Sequence, residues 1–166
     1  MSEQVIRPEG IPTEEAFGSF TVSMRGYFST QHLWSAEHFT RLAAELEAAH
    51  TGEARFSIRH RSYVLGAVGE AGAFLEAFVN ELFQDAADAT KADPVLGTDV
   101  RLRGLSDDLV QLMAAYWISM DEGERVRTLD KYDAARLFAG CPRQDRGRLP
   151  DQDVPRVIAL RNWSVH

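Results

Sequence analysis

The sequence predicts an all-α fold, a bundle of about five helices behind an irregular N-terminal segment. Three observations carry this expectation. Apolar residues recur at three- and four-residue steps along most of the chain, no strand and helix alternation or internal repeat competes with that period, and glycine and proline breaks cut the chain into helix-length pieces. The breaks are Thr51-Gly52, Asp93-Pro94 with Gly97, and Gly140-Cys141-Pro142. At 166 residues, with 45% hydrophobic and 26% charged residues, the chain fits one globular domain with a core of ordinary size.

Residues 1–34 are rich in Gly, Pro, Ser and Thr and are expected to be irregular, with alternation at Phe20, Val22 and Met24 suggesting a short extended piece over Phe20 to Phe28. The helical domain is expected over 35–166. A first helix spans Ser35 to His50, capped by Ser35, with Phe39, Leu42, Leu46 and Ala49 on its inner face. A long second helix, about Ile58 to Ala89, repeats Val64, Leu65, Val68, Ala71, Leu75, Phe78, Val79, Leu82 and Phe83 at the helical period and is the expected central element. Its Gly66, Gly69 and Gly72 each disfavour helix by about 1 kcal/mol relative to Ala, which makes sense where another helix approaches closely. No strand precedes them, so they are not a nucleotide-binding fingerprint.

A third helix, about Ser106 to Met120, takes Ser106 as its cap and Asp107 and Asp108 as dipole-favoured residues, with Leu109, Leu112, Met113, Tyr116, Trp117 and Met120 on a broad apolar face. A fourth runs from about Gly123 to Ala139 with Val126, Leu129, Leu137 and Phe138 inward, and stops at Gly140. After a polar loop, the last helix begins near Asp151 to Asp153, accepts Pro155 in its first turn, and carries Val157, Ile158 and Leu160.

Charge and cysteine usage narrow the function classes. A formal charge of −7 argues against broad, sequence-independent binding to nucleic acid. The end of the chain is locally basic, however: residues 141–166 hold five arginines (Arg143, Arg146, Arg148, Arg156, Arg161) against three aspartates. Cys141 is the single cysteine, so neither an internal disulfide nor a multi-cysteine zinc site is expected. Glu37 and His38 have only Arg41 and Leu42 one turn on, which are not ligands, and no metal or cofactor is expected. With no secretory signal at Met1 to Gly10 and no uninterrupted apolar run of about 18 residues, a cytoplasmic protein without a membrane partner is expected.

The residues richest in chemistry are Arg161-Asn162-Trp163-Ser164-Val165-His166. On a helix, Asn162 and His166 share a face, and Arg161 stands about 100° round from Asn162. Cleaving RNA without metal requires removing a proton from the 2′-hydroxyl, compensating charge on the phosphorane and protonating the leaving 5′-oxygen. Histidine suits both proton transfers, with an unperturbed pKa of about 6.5, and arginine suits the phosphate as a permanent planar cation. Asn162 can orient the imidazole or donate to a phosphate oxygen. The competing explanation is an exposed polar helix end, where the dipole favours cations.

Arg-Asn followed by three residues and His, on the last helix of an α-helical bundle, resembles the Arg-x(4 to 6)-His motif of the HEPN superfamily. The stretches Ala73 to Phe83, Leu129-Asp130-Lys131-Tyr132 and Val157 to Asn162 are similar in context, and the similarity covers roughly residues 35–166. The resemblance implies a HEPN-like helical domain acting as a metal-independent endoribonuclease. It further implies a homodimer whose motifs meet at the interface, with RNA as substrate and an antitoxin or operon-encoded protein as a further partner, in defence or stress systems. Arg161 would stabilise the phosphate, Asn162 would support it, and His166 would act as acid or base. The alternative is a non-catalytic HEPN-like module for dimerisation or for binding RNA or a protein; a structural domain of a larger complex is a third.

Other polar residues are read first as structural. Glu70, Glu76 and Asn80 are expected to be solvated or to bond between helices, Arg59-His60-Arg61 to form a solvated helix end, Tyr132 to lie at the core edge beside Lys131, and His32 and His38 to lie on the surface. Trp117 and Trp163 are expected in the core or at a dimer interface rather than stacked on bases.

Overall fold

A computed structural model describes residues 26–50, 57–91, 100–121, 126–143, 145–149 and 151–165. Among them the fold is all-α: α1 (Phe28–Ala49), α2 (Ile58–Lys91), a short 3-10 turn (Val100–Leu102), α3 (Asp107–Ser119), α4 (Thr128–Phe138) and α5 (Val154–Val165), with no strand. The 34-residue α2 is the spine, and each of the other four helices packs against it.

The first helix starts at Phe28, earlier than the expected Ser35, and Phe28 to Trp34 belongs to the bundle rather than to an irregular segment. The reason lies outside α1. Its N-cap, Tyr27, makes no side-chain capping bond; instead the Glu81 carboxylate of α2 accepts the Ser29 backbone N–H at 3.0 Å and the Ser29 hydroxyl. A carboxylate at a helix N-terminus satisfies donors that the helix itself cannot. Arg101 holds that carboxylate from the other side at 2.8 Å, with its guanidinium 3.8 Å from the centre of the Tyr27 ring. Burial by itself raises the Glu81 pKa, but the bonds from Ser29 and Arg101 outweigh it and hold the group below its ordinary value. Phe28, the last residue of the expected extended piece, opens α1, and residues 20–25 of that piece lie outside the described residues.

The α1 and α2 helices run antiparallel, clasped by His32 Nδ1 with Glu70 Oε2 (2.7 Å) and by His60 Nε2 with Glu47 Oε1 (2.6 Å). Between these pairs the helices close on small residues. Ala36 and Ala43 are buried, and a Cβ at Gly66 would stand 3.0 Å from the Phe39 ring.

The core lies at the C-terminal half of α2, where Val79, Phe83, Ala86 and Ala87 meet Leu102, Met113, Ala114 and Trp117. Phe83 stacks on Trp117 with centroids 6.0 Å apart and takes the edge of Phe138 at 6.4 Å. A fully buried Phe contributes about 1.5–3 kcal/mol through removal from water. The Trp117 indole N–H is satisfied by Gln84 Oε1 at 2.8 Å, which permits its burial. The N-terminal half of α2 is less covered: Val64 and Leu65 are exposed, as are Leu112, Leu137 and Leu160, all expected on inner faces. By length and composition alone α2 would suffice to cross a membrane. Its Glu70, Glu76 and Glu81 are engaged by side chains of α1, α5 and the 3-10 turn.

The start of α3, the end of α4 and the first turn of α5 follow the expected chemistry. Ser106 Oγ accepts the Leu109 N–H at 3.3 Å. Gly140, at φ 69°, closes α4 with bonds from Gly140 N to Leu137 O and from Cys141 N to Arg136 O, the paired bonds of a Schellman end. α4 starts at Thr128 rather than Gly123, after extended Arg127. Pro155 sits in the first turn of α5, where its missing N–H costs nothing.

Of the three α2 glycines, Gly66 and Gly72 face close neighbours and Gly69 does not: a Cβ at Gly72 would lie 3.2 Å from Arg161 Cγ, whereas one at Gly69 has nothing within 4 Å. Gly69→Ala is therefore expected to stabilise the protein by about 1 kcal/mol, and Gly72→Val to destabilise it by about 1–3 kcal/mol as α5 is forced outward. Chemical denaturation of both variants checks this, and equal shifts would show that α5 is not seated on Gly72.

Candidate functional site

α5 crosses α2 at Gly72, and the missing side chain lets the Arg161 stem lie against the helix backbone. The stem is thereby aimed at the next turn of α2, where Arg161 Nη1 meets Glu76 Oε2 at 3.1 Å. Asn162, the next residue, is exposed on the adjoining edge of α5, with its Oδ1 3.5 Å from Arg161 Nη1, the outer limit of a hydrogen bond. α5 continues to Val165; His166 lies outside the described residues.

Arg161 and Asn162 line a cleft of about 540 Å³ bounded by α2, α4, α5 and the loop before α5. Glu76 forms part of its α2 wall, and Val126, Arg127, Thr128, Leu129 and Asp130 come from the start of α4. Arg146 enters from the loop and Ile158 from α5. Three arginines and two carboxylates thus share the wall, and Asp133, bonded to Arg146 from behind it, balances the third arginine.

The three arginines are held differently. Arg146 is anchored to α4: its Nη2 lies 2.7 Å from Asp133 Oδ2 and 3.8 Å from Asp130 Oδ1. The second Asp133 oxygen, Oδ1, is buried without a hydrogen-bond partner among the described residues, so the Arg146 bond is the main compensation for that carboxylate. Arg161 leans on Glu76 in a pair with both side chains more than a third exposed. Arg127 is exposed, makes no capping bond for α4, and has no carboxylate partner among the described residues.

Beneath the cleft, a polar layer locks α4 to α2. Lys131, only 5% exposed, donates to Asn80 Oδ1 at 2.7 Å and lies 5.3 Å from the centre of the Trp117 ring. Desolvation lowers the Lys131 pKa, and the nearby Glu76 carboxylate works against that shift. Tyr132 donates to the Leu75 carbonyl at 2.9 Å, and burial pushes its phenol up to about 12. Lys131 and Tyr132 therefore set the distance between α4 and the turn of α2 that carries Glu76.

The expected solvated or inter-helix role of Glu76 and Asn80 holds in its second form, since both bond to other helices. Trp117 is in the core as expected, whereas Trp163 is 76% exposed. His32 is not simply a surface residue, because it bridges to Glu70. Arg59 and His60 bond to Tyr63 and Glu47, away from the cleft. Arg127 was not foreseen as a wall residue; the local arginine enrichment after Cys141 pointed to Arg146 only in general terms. Comparison with protein-family models, with curated proteins and with solved structures finds no match to this chain.

The Tyr132 shift sets a sign for alkaline stability. Its folded pKa is raised above the ordinary 10, so its contribution is complete below pH 10 and is lost as pH rises toward about 12. Denaturation at pH 9 and pH 11 is expected to show Tyr132→Phe losing less stability between the two than the wild type; an equal loss would place that pH dependence elsewhere.

Proposed function

We propose that this chain is a metal-independent endoribonuclease that holds an RNA phosphodiester in the α4 and α5 cleft and cleaves it with Arg161, Asn162 and His166. The observation that carries the reading is the seating of Arg161: backed by Gly72, aimed by Glu76, beside Asn162, on the wall of a cleft that holds two further arginines. Arg161 neutralises charge developing on the phosphorane, and Asn162 donates to a phosphate oxygen or orients the imidazole. His166, four residues after Asn162 in the sequence, transfers the protons.

Glu76 does not obstruct this chemistry. An ion pair this exposed is worth roughly 0–1 kcal/mol, so a phosphate can replace the carboxylate as partner of a guanidinium already in position. The active form in this proposal is a homodimer, with the exposed Leu160 and Trp163 of α5 facing the second copy.

That same exposed pair favours a second reading, a non-catalytic HEPN-like module that dimerises or binds an antitoxin or operon-encoded protein through α5. Such a module needs Leu160 and Trp163, and places no demand on His166.

RNA cleavage in EDTA separates the two. Wild type is expected to cleave, with Arg161→Ala reduced about 10²–10³-fold and His166→Ala about 10²–10⁴-fold, both variants keeping the wild-type circular dichroism spectrum. Cleavage unchanged in both variants removes these residues from the chemistry, and no cleavage of any RNA leaves the module reading.

A further inference from the structure

Two arginines besides Arg161 line the cleft, sharing its α4 side with Asp130 and Asp133. Arg161 stands on the α5 wall, held from α2 by Glu76, whereas Arg127 and Arg146 line the cleft from the foot of α4 and from the loop. The two groups are also prepared differently. Arg146 is fixed in place by Asp133, while Arg127 is exposed and carries its charge without a carboxylate partner among the described residues. One oriented and one uncommitted arginine lining the same concavity suit a tetrahedral anion that presents several oxygens.

The remaining wall limits what the anion is attached to. Val126, Leu129 and Ile158 add aliphatic residues to the same lining. A volume of about 540 Å³ lies within the roughly 300–1,000 Å³ common for small-ligand pockets. A paired RNA helix keeps its bases stacked inside and offers a protein its sugar and phosphate surface, whereas an unpaired nucleotide can put sugar and base against such a wall.

We propose that Arg127 and Arg146 form a second phosphate subsite, which takes the phosphodiester neighbouring the one at Arg161 and so selects an unpaired RNA strand. This rests on the RNA reading of the Arg161 site and adds a residue, Arg127, that lies outside the Arg-Asn-x-x-x-His segment. Arg127 binds and aligns the strand without touching the reacting bond. Its removal is therefore expected to raise KM by a larger factor than it lowers kcat. Arg146 is the poorer probe, because its loss also strips the charge partner from the half-buried Asp133.

The test uses a labelled 2′-O-methyl hexauridylate, whose blocked 2′-oxygen prevents cleavage, and follows its binding by fluorescence anisotropy at several salt concentrations. Arg127→Ala is expected to weaken binding about fivefold and to reduce the slope of log affinity against log salt by about 0.7, the value for one lost contact to a single strand. Arg103→Ala, an exposed arginine away from the cleft, is the charge control and is expected to change neither. A paired 2′-O-methyl duplex of the same length is expected to bind more weakly than the single strand.

Unchanged affinity and slope in Arg127→Ala, an equal loss in Arg103→Ala, or a duplex that binds as tightly as the single strand each overturns the subsite. Binding with the expected Arg127 dependence, but no cleavage of unmodified RNA, keeps the subsite and sinks the ribonuclease reading alone. Cleavage of unmodified RNA with no Arg127 effect on affinity sinks the subsite alone.

Discussion

One helix has to serve as partner to four others, and the structure depends on how α2 divides that work along its length. Its C-terminal half does so by burial, with Val79, Phe83, Ala86 and Ala87 closing on α3 and the 3-10 turn. Its faces toward α1, α4 and α5 use polar groups. Glu70 takes His32 and Glu81 takes Ser29 and Arg101, while Asn80 takes Lys131 and Glu76 takes Arg161. Burial is non-directional and fixes only that helices are close. Hydrogen-bonded pairs fix which turn of one helix faces which turn of another, and that register puts Arg161 at the cleft wall.

The cleft follows from two further constraints. Gly72 removes the side chain that would hold α5 away from α2, so the Arg161 stem can lie against the helix. Lys131 and Tyr132 tie α4 to the turns of α2 at Asn80 and Leu75, on either side of Glu76. With α4 and α5 both fixed to one short stretch of α2, the space between them is set by the backbone. The arginines reach it from three directions, and only Arg146 is bound firmly to the α4 carboxylates. Preorganised cations in a concavity are what a phosphorane-forming reaction needs, because no reorganisation then accompanies charge development.

Elements whose causes are local were legible in the sequence. Ser106 capping α3 and Gly140 ending α4 each act within a few residues, and both appear where the sequence puts them. The α1 start was not legible, because its cap comes from Glu81 on another helix; Ser35, a sound local cap, lies inside α1. Periodicity likewise gave the apolar faces without saying which would be covered, so Val64, Leu65 and Leu137 fell on a predicted inner face and stand exposed. The adjacency of Arg161 and Asn162 on one helix edge followed from the helical angle. The Glu76 partner and the Arg127 wall did not, since both depend on where α2 and α4 meet α5.

In the proposed reaction the Arg161 cleft presents an RNA phosphodiester to its own 2′-hydroxyl, and the ends left on RNA cut in EDTA report whether that attack occurs. Attack by the 2′-oxygen with departure of the 5′-oxygen leaves a 2′,3′-cyclic phosphate and a 5′-hydroxyl, and a 2′-deoxy substitution at the cut position stops the reaction. Those ends and that block are expected; fragments with 5′-phosphates, or a 2′-deoxy strand cut as readily as RNA, would rule the reaction out.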